Sequence, residues 1–536
     1  MLKKVASGTV LTVLLIIILT LPCSIQPVKA GPGNLIATCG EGYLEEVNGV
    51  LVLHVKGSPY EMGYQNGFLL KDDIQTLIQY IIQERIQNGY SYDYLVNCAQ
   101  AMEPHIPQEY IQEMQGLADG ASMNYTDVLL EQIICDIKFY GTGWNGTGCS
   151  GFVVFGNSTM DGHLYHGRSF DSSIPPDEPV GLITVYEPEN GNAFVNAGYF
   201  GFIGVHTGMN KKGITLENNI SSSSDKTLDG MPIMFIGRKV LQYANNLTEA
   251  IDIICQADRT TGHHILLGDG KNLNACALEI SDDYCKVFWA GDPAEDIEPH
   301  YSIPNVVRRT NHYVDPELAA TQRSPYDPRV AWNWSWNRYD TLTQLIEDNY
   351  GNITAETSIE FLRTPPVAWA EINLQSVVFD STELELWVAD AAFNTPAYER
   401  EFIYLSYDDL FSPYTPDVPD APDGCFIATA AYGTPMADEI QTLRDFTDEY
   451  LLTNPLGQAL VDIYYKLSPP IAEFITEHPF LKPIVRAGLV PAVVMSTVVV
   501  NTTPAEKAAI VGLLALVSAA LAIWAMKRRG RGPEYN

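Results

Sequence analysis

Gly141-Thr-Gly-Trp-Asn-Gly-Thr-Gly148, followed by Cys149-Ser-Gly-Phe-Val-Val-Phe155, is where the chain changes its period. Upstream, apolar residues recur at helical spacing from Tyr60 to Asn88, and again from Ile111 to Ala118 after Pro107. Asn124-Tyr-Thr-Asp opens a third helical stretch with Leu129, Leu130, Ile133 and Ile134 on its apolar face. Residues 31–148 therefore read as mostly helical. Downstream, Gly151-Phe-Val-Val-Phe, His163-Leu-Tyr-His-Gly, Leu182-Ile-Thr-Val-Tyr, Ala193-Phe-Val-Asn-Ala and Gly213-Ile-Thr-Leu-Glu are short strands separated by Gly, Asn and Asp turns. Helical stretches at Pro232–Tyr243 and Leu247–Ala257 interrupt them. Strands return at His264-Ile-Leu-Leu, Ala275-Cys-Ala-Leu-Glu-Ile and Cys285-Lys-Val-Phe-Trp. Helices near Arg338–Glu347 and Ser358–Leu362, then strands at Val377-Val-Phe and Leu384-Glu-Leu-Trp-Val, close residues 149–411. Blocks of antiparallel strands with helices between them predict an α+β fold, two sheets sandwiched by helices in four layers.

The ends place this region. Lys3 and Lys4, an apolar run from Val10 to Leu21, and Val28-Lys29-Ala30 have the pattern of a signal peptide over residues 1–30. Ala508 to Met526 carries no charge and approaches the roughly 20 residues a membrane-spanning helix needs. Lys527, Arg528, Arg529 and Arg531 follow, so residues 505–526 read as a single transmembrane helix with residues 527–536 as a cytoplasmic tail. The bulk of the chain is then expected outside the cell membrane. Ser412-Pro-Tyr-Thr-Pro-Asp-Val-Pro-Asp-Ala-Pro-Asp-Gly424 is too rich in proline for a helix or strand and reads as a linker. Beyond it, 425–504 reads as a small helical module.

With 65 acidic against 32 basic residues the formal charge is -33, which argues against nucleic acid and anionic membrane surfaces as partners. Eight Asn-x-Ser/Thr sequons between the two membrane segments, at Asn124, Asn145, Asn157, Asn219, Asn246, Asn333, Asn352 and Asn501, permit glycosylation. Removing Cys23 with the signal leaves eight cysteines, whose spacings fit no zinc pattern and fix no disulfide connectivity.

Gly141-Thr-Gly-Trp-Asn-Gly146 matches the dinucleotide string G-x-G-x-x-G, but here the helix precedes and the strand follows, the reverse of the order that motif needs. The Gly148-Cys149 junction carries more chemistry. A thiol at a helix-to-strand switch can serve as a nucleophile if some base makes it a thiolate. Were the bond before Cys149 cut, the new α-amino group, with a reference pKa of ~7.7–8.0, would sit beside its own sulfur and act as that base. On spacing alone, a buried structural or disulfide cysteine is the competing reading. A Cys–His pair using His166, His206, His264 or His312 is a further one.

Gly148-Cys149-Ser150, followed by Asp161-Gly-His-Leu-Tyr-His-Gly-Arg168-Ser-Phe-Asp171, resembles the N-terminal-nucleophile (Ntn) amidohydrolases related to penicillin acyltransferase, acid ceramidase and bile-salt hydrolase. That family shows Gly-Arg-Asn-x-Asp where this chain has Gly167-Arg168-Ser169-Phe170-Asp171. Gly57-Ser-Pro-Tyr-Glu-Met-Gly-Tyr-Gln-Asn-Gly67 and Gly116-Leu-Ala-Asp-Gly-Ala121 are similar to pro-region signatures of its acyltransferase branch. Arg309-Thr-Asn311-His312 and Ser335-Trp-Asn-Arg338-Tyr339 resemble two further motifs, and the likeness spans about residues 45–405 in the family's order. The resemblance implies an αββα sandwich, autocatalytic cleavage after Gly148 and Cys149 as nucleophile. It implies that Asp171 orients the new amine and that Arg168 favours the thiolate. Asn311 would donate its amide to the oxyanion, with Asn218 and Arg338 lining the substrate site. The implied reaction is attack on a small-molecule amide, with no cofactor and no metal. Acyl transfer to an amine, peptidase action in trans, or an inactive scaffold are the alternatives. Cys425-Phe-Ile-Ala-Thr-Ala-Ala-Tyr-Gly433 resembles the opening box of a membrane-proximal anchoring module, which implies sorting or processing machinery as a partner and leaves Cys425 either a processing site or a structural thiol.

Overall fold

The computed structural model describes residues 33–140, 148–172, 181–322, 333–369, 372–392 and 395–412, with scattered single residues between 443 and 496. Residues 31–414 form one compact unit, and residues 1–30 with 415–536 form another. The expected signal segment, residues 413–424 of the linker, Cys425 and the expected membrane span at 505–526 lie outside the described residues. Among the described residues no helix is long and apolar enough to cross a membrane.

Three strands come first: β1 (Asn34–Cys39), β2 (Gly42–Val47) and β3 (Val50–Gly57). They add a strand-built start to residues 31–148, which are otherwise mostly helical as read from the sequence. Their local signal is Asn48-Gly49 between two apolar runs, with both residues at positive φ (51° and 90°), as a tight two-residue hairpin requires. Five helices follow: α1 (Pro59–Leu69), α2 (Lys71–Gln87), α3 (Tyr92–Met102), α4 (Gln108–Ala121) and α5 (Tyr125–Tyr140).

The remainder runs through β4 (Gly148–Val154), β5 (Tyr165–Asp171), β6 (Gly181–Pro188), β7 (Phe194–Tyr199), β8 (Thr207–Asn210), a strand that the sequence reading does not mark, and β9 (Ile214–Ile220). Then come α6 (Ile233–Tyr243), α7 (Leu247–Cys255), β10 (His263–Asp269), β11 (Asn274–Ile280), β12 (Cys285–Trp289) and β13 (Val306–Arg309). Last are α8 (Pro316–Thr321), α9 (Asn333–Asp348), α10 (Ala355–Arg363), β14 (Asn373–Asp380), β15 (Glu385–Asp390), β16 (Ile403–Ser406) and α11 (Tyr407–Leu410).

Among the described residues these strands form two sheets, one of ten in the order β1-β2-β3-β6-β7-β8-β9-β10-β11-β12 and one of six in the order β13-β4-β5-β14-β15-β16. The β3–β6 pair is parallel and the other pairs are antiparallel. Val52, Ile183, Val185 and Met209 of the larger sheet pack on Val377, Phe379 and Leu386 of the smaller, so the sheets stack face to face. The far face of the larger sheet is covered by α1 to α7, and that of the smaller by α9 and α10. The result is the four-layer α+β arrangement. A disulfide, Cys255–Cys285, ties the end of α7 to the start of β12.

The segment before Cys149 is built into this unit. Its β3 is hydrogen-bonded to β6. Glu113 of α4 accepts from Arg238 Nη2 of α6 at 2.9 Å, both side chains buried. α1 and α4 cross with their backbones in contact: a Cβ on Gly63 would lie 1.8 Å from the Glu113 carbonyl oxygen, and one on Gly116 would lie 2.0 Å from that of Tyr60. The Gly57–Gly67 and Gly116–Ala121 stretches therefore mark a helix crossing that admits no side chain at those two positions. Gly116→Val should force these helices apart at a cost at or above the ~1–3 kcal/mol typical of overpacking. Thermal unfolding of the variant checks this; an unchanged midpoint would contradict the crossing.

Asp136 of α5 anchors the same segment to α6, accepting from the Thr260 hydroxyl and, at 3.2 Å, from the Ile233 N–H. Burial pushes its carboxyl up to about 6, above the ordinary carboxylate value. The neutral form is thus favoured in the fold: the contribution to stability is full below pH ~4 and is lost as pH rises through about 6. Asp136→Asn should therefore raise stability at pH 8, by at most on the order of 3 kcal/mol, and the gain should shrink toward pH 4. Paired thermal melts at the two pH values measure it.

Candidate active site

Cys149 is the second residue of β4, pairs in register with Phe170 of β5, is 2% exposed and carries a free thiol. Four side chains from three other parts of the chain converge on it. Arg168, two strand positions before Phe170 on β5, donates from Nη2 to Cys149 Sγ at 3.5 Å and to the Asn218 carbonyl at 3.1 Å. Its Nη1 donates to the Thr207 hydroxyl. The Cys149 N–H donates to Asn311 Oδ1 at 3.0 Å. Arg338 of α9 donates to the Cys149 carbonyl, to Ser150 Oγ at 3.1 Å and to Asn311 Oδ1. Asp171, buried at the end of β5, pairs through its backbone with Gly148, and its Oδ2 lies 4.0 Å from Arg338 Nη1.

The residues singled out in the sequence are thus gathered, with one reorientation. Asn311 lies just past the end of β13, and its amide presents oxygen, not nitrogen, toward Cys149. Two donors, the Cys149 N–H and Arg338, require an acceptor there, and its Nδ2 instead donates to the Ile220 carbonyl at 2.7 Å. Asn218 faces His263, whose Nδ1 is 2.8 Å from Asn218 Oδ1. Ser169 stands where the family pattern has Asn, and it donates to Asp171 Oδ1 at 2.8 Å. The amide comes from elsewhere: Asn373 of β14, in register with Asp171, donates from Nδ2 to Ser169 Oγ at 2.9 Å and to Asp171 Oδ1 at 3.1 Å. Nothing local in the sequence singles out Asn373, because only strand pairing brings it there.

The electrostatics follow from burial. Burial pushes the Cys149 thiol up, opposed first by the Arg168 guanidinium, with Asp171 adding to the rise and Arg338 countering it. The Asp171 carboxyl is likewise raised by burial and held down chiefly by Arg338. A nucleophilic role for this thiol would therefore require a base. His166 Nδ1 is 2.7 Å from Thr215 Oγ1, and His264 Nδ1 is 3.1 Å from the Thr310 carbonyl. His312 Nδ1 is 2.7 Å from Ser335 Oγ. His206 lines the same cavity as Cys149, stacked between Phe170 and Phe202 and held neutral by burial.

That cavity, of about 80 Å³, opens beside Cys149 and Arg168. Its walls are mainly apolar, from Ile81 of α2, Ile134 of α5, Phe170, Tyr199, Ile220 and Met234. Helices from before Cys149 thus supply one side of it.

A buried thiol, two arginines and an asparagine thus meet around the head of β4. The chain is similar to the acyl-coenzyme A:6-aminopenicillanic acid acyl-transferase family. Residues 158–388 match that family's model, a stretch that contains Arg168, Asp171, Asn218, Asn311, Arg338 and Asn373 and begins after Cys149. It is 29% identical over 416 residues to a protein of Archaeoglobus fulgidus described as uncharacterized, covering 68% of each chain. It is 26% identical to protein dcd1B of Dictyostelium discoideum, covering 71% of this chain and 79% of that one. Among solved structures, it is similar to the Caenorhabditis elegans ortholog of N-acylethanolamine-hydrolyzing acid amidase, at 16% identity and a TM-score of 0.34, covering 44% of this chain and 93% of that one. It is also similar to a mutant of the conjugated bile acid hydrolase from Clostridium perfringens, at 13% identity and a TM-score of 0.33, covering 51% of this chain and 97% of that one.

Proposed function

We propose that this chain is a cysteine amidohydrolase of the N-terminal-nucleophile class, in which Cys149 becomes the N-terminal residue by self-cleavage after Gly148. The observation that carries the reading is the surround of Cys149: Arg168 on its sulfur, Asn311 on its nitrogen and Arg338 on its carbonyl, beside an apolar cavity. Cleavage begins when Cys149 Sγ attacks the Gly148 carbonyl carbon. The C–S bond forms, the C–N bond breaks, and the nitrogen takes the proton. Water then hydrolyses the thioester, leaving a Gly148 carboxylate and a free α-amine.

That amine keeps Asn311 Oδ1 as its acceptor and has a reference pKa of ~7.7–8.0, so it is the base the buried thiol requires. In turnover it accepts the thiol proton and later passes it to the departing amine of the substrate. The acyl group rests on sulfur, in the apolar cavity, until water releases it as a carboxylic acid. A second amine in place of that water would make the enzyme an acyltransferase, a reading favoured by the name of the matching family. The αββα layering and the match over 158–388 support membership of the class.

We place the catalytic unit outside the cytoplasm, anchored by residues 505–526. The Cys255–Cys285 disulfide supports an oxidising compartment. Incubation of the cut protein with N-acyl amides of graded acyl size, with and without an added primary amine, tests the chemistry. Release of free amine and carboxylic acid, favouring apolar acyl groups, supports hydrolysis, and a new amide in the presence of the added amine marks transfer. Cut protein that turns over no member of the series would contradict the reading.

A further inference from the structure

The Thr310-Asn311-His312 and Ser335–Tyr339 motifs contain two residues that the chemistry above leaves unused, His312 and Ser335. Both are buried, and they belong to one run of hydrogen bonds that starts at Asn311. The Asn311 N–H donates to Ser335 Oγ at 2.8 Å. Ser335 Oγ is 2.7 Å from His312 Nδ1, His312 Nε2 is 3.1 Å from His300 Nε2, and His300 Nδ1 is 3.1 Å from the Ile297 carbonyl.

The ends of this run fix the position of every proton in it. A carbonyl can only accept, so His300 carries its proton on Nδ1 and offers a lone pair at Nε2. His312 must then donate from Nε2 and accept at Nδ1, which leaves the Ser335 hydroxyl as the donor to it. Thr310 Oγ1, which is 3.0 Å from the Ser335 carbonyl, gives its own proton there. All donors point one way, from Asn311 to Ile297, with both imidazoles neutral. The groups around the pair agree with neutrality: Arg308, Arg309 and Arg338 are cationic, His264 is held neutral by burial, and Glu279 and Glu295 are taken by Arg309. Packing holds the rings in place. His312 stacks on Trp336 at 4.0 Å, His300 lies 4.8 Å from the same indole, and Tyr339 meets both edge-on.

We propose that His312, backed by His300 and acting through the Ser335 hydroxyl, is a positioning residue that fixes the Asn311 backbone and thereby holds Asn311 Oδ1 on the nitrogen of Cys149. This inference rests on Cys149 being the nucleophile. It gives the histidine and serine of the two motifs one shared task, exerted on Cys149 through Asn311.

The test uses the full chain. His312→Phe keeps a ring to stack on Trp336 and removes both nitrogens, and His312→Gln restores an acceptor for Ser335. Self-cleavage of the Gly148–Cys149 bond, followed by intact mass over time, should slow about 10²-fold in the Phe variant and recover most of its rate in the Gln variant. Equal rates in wild type and a folded His312→Phe chain would overturn the positioning role. Should the Phe variant fail to fold, nitrogen NMR of 15N-histidine-labelled Cys149→Ala protein decides independently. The expected tautomers are Nδ1–H for His300 and Nε2–H for His312; the reverse order, or a charged ring at pH 7, overturns the relay. A wild type that never cuts overturns the N-terminal-nucleophile mechanism and with it the purpose of the relay, whereas a wild type that cuts alongside an equally fast His312→Phe overturns the relay alone.

Discussion

Cys149→Ala is expected to lower amide turnover by at least ~10³-fold while leaving the melting behaviour close to wild type. The side chain is small and buried, and the groups around it hold one another: Arg168 is bound to Thr207 and to the Asn218 carbonyl, and Asn311 to Arg338 and to the Ile220 carbonyl. Removing the sulfur deletes the attacking atom without dismantling that frame. Steady-state release of amine from an N-acyl amide, measured beside thermal unfolding, checks both halves. Turnover that survived in the alanine variant would move the nucleophile elsewhere.

Arg338→Met should act on fold and chemistry together. Its guanidinium joins the Cys149 carbonyl, Ser150 Oγ and Asn311 Oδ1, and it is the main group holding down the Asp171 carboxyl. Truncating it leaves a buried carboxylate without its cation, a change that costs about 3–5 kcal/mol when such pairs are broken. Asp171 is then expected to take up a proton, and Asn311 loses one of the two donors that set its amide. The melting temperature should fall and the precursor should accumulate uncut. Lysine at this position cannot reproduce the planar fork and should restore little. A methionine variant that cut at the wild-type rate would remove Arg338 from the site.

Much of this arrangement is legible along the chain. The switch of period at Gly148-Cys149 marks the helix-to-strand boundary, and the spacing of Arg168 and Asp171 survives because both sit on β5, paired with the strand that carries Cys149. What is not legible depends on distant pairing. Asn373 reaches Asp171 only through the β5–β14 register, some 200 residues along. The Cys255–Cys285 bridge is one of many pairings that eight cysteines allow. The side-chain direction of Asn311 is decided by Arg338 and by the Cys149 N–H, which no motif specifies. β1 to β3 escape a reading by helical period because they are short and precede a long helical stretch, although Asn48-Gly49 signals their hairpin.

The segment before Cys149 would remain with the enzyme after cleavage. The β3–β6 pairing, the Glu113–Arg238 ion pair and the helical wall of the cavity all cross the cut, so two fragments should separate only under denaturing conditions.

The most direct measurement is intact mass with N-terminal sequencing of the expressed wild-type chain beside Cys149→Ala. A wild-type fragment beginning Cys-Ser-Gly-Phe, with the alanine chain whole at that bond, is the expected result. A wild type still continuous through Gly148–Cys149, and yet active on amides, would contradict the N-terminal-nucleophile mechanism and return the base to one of the histidines.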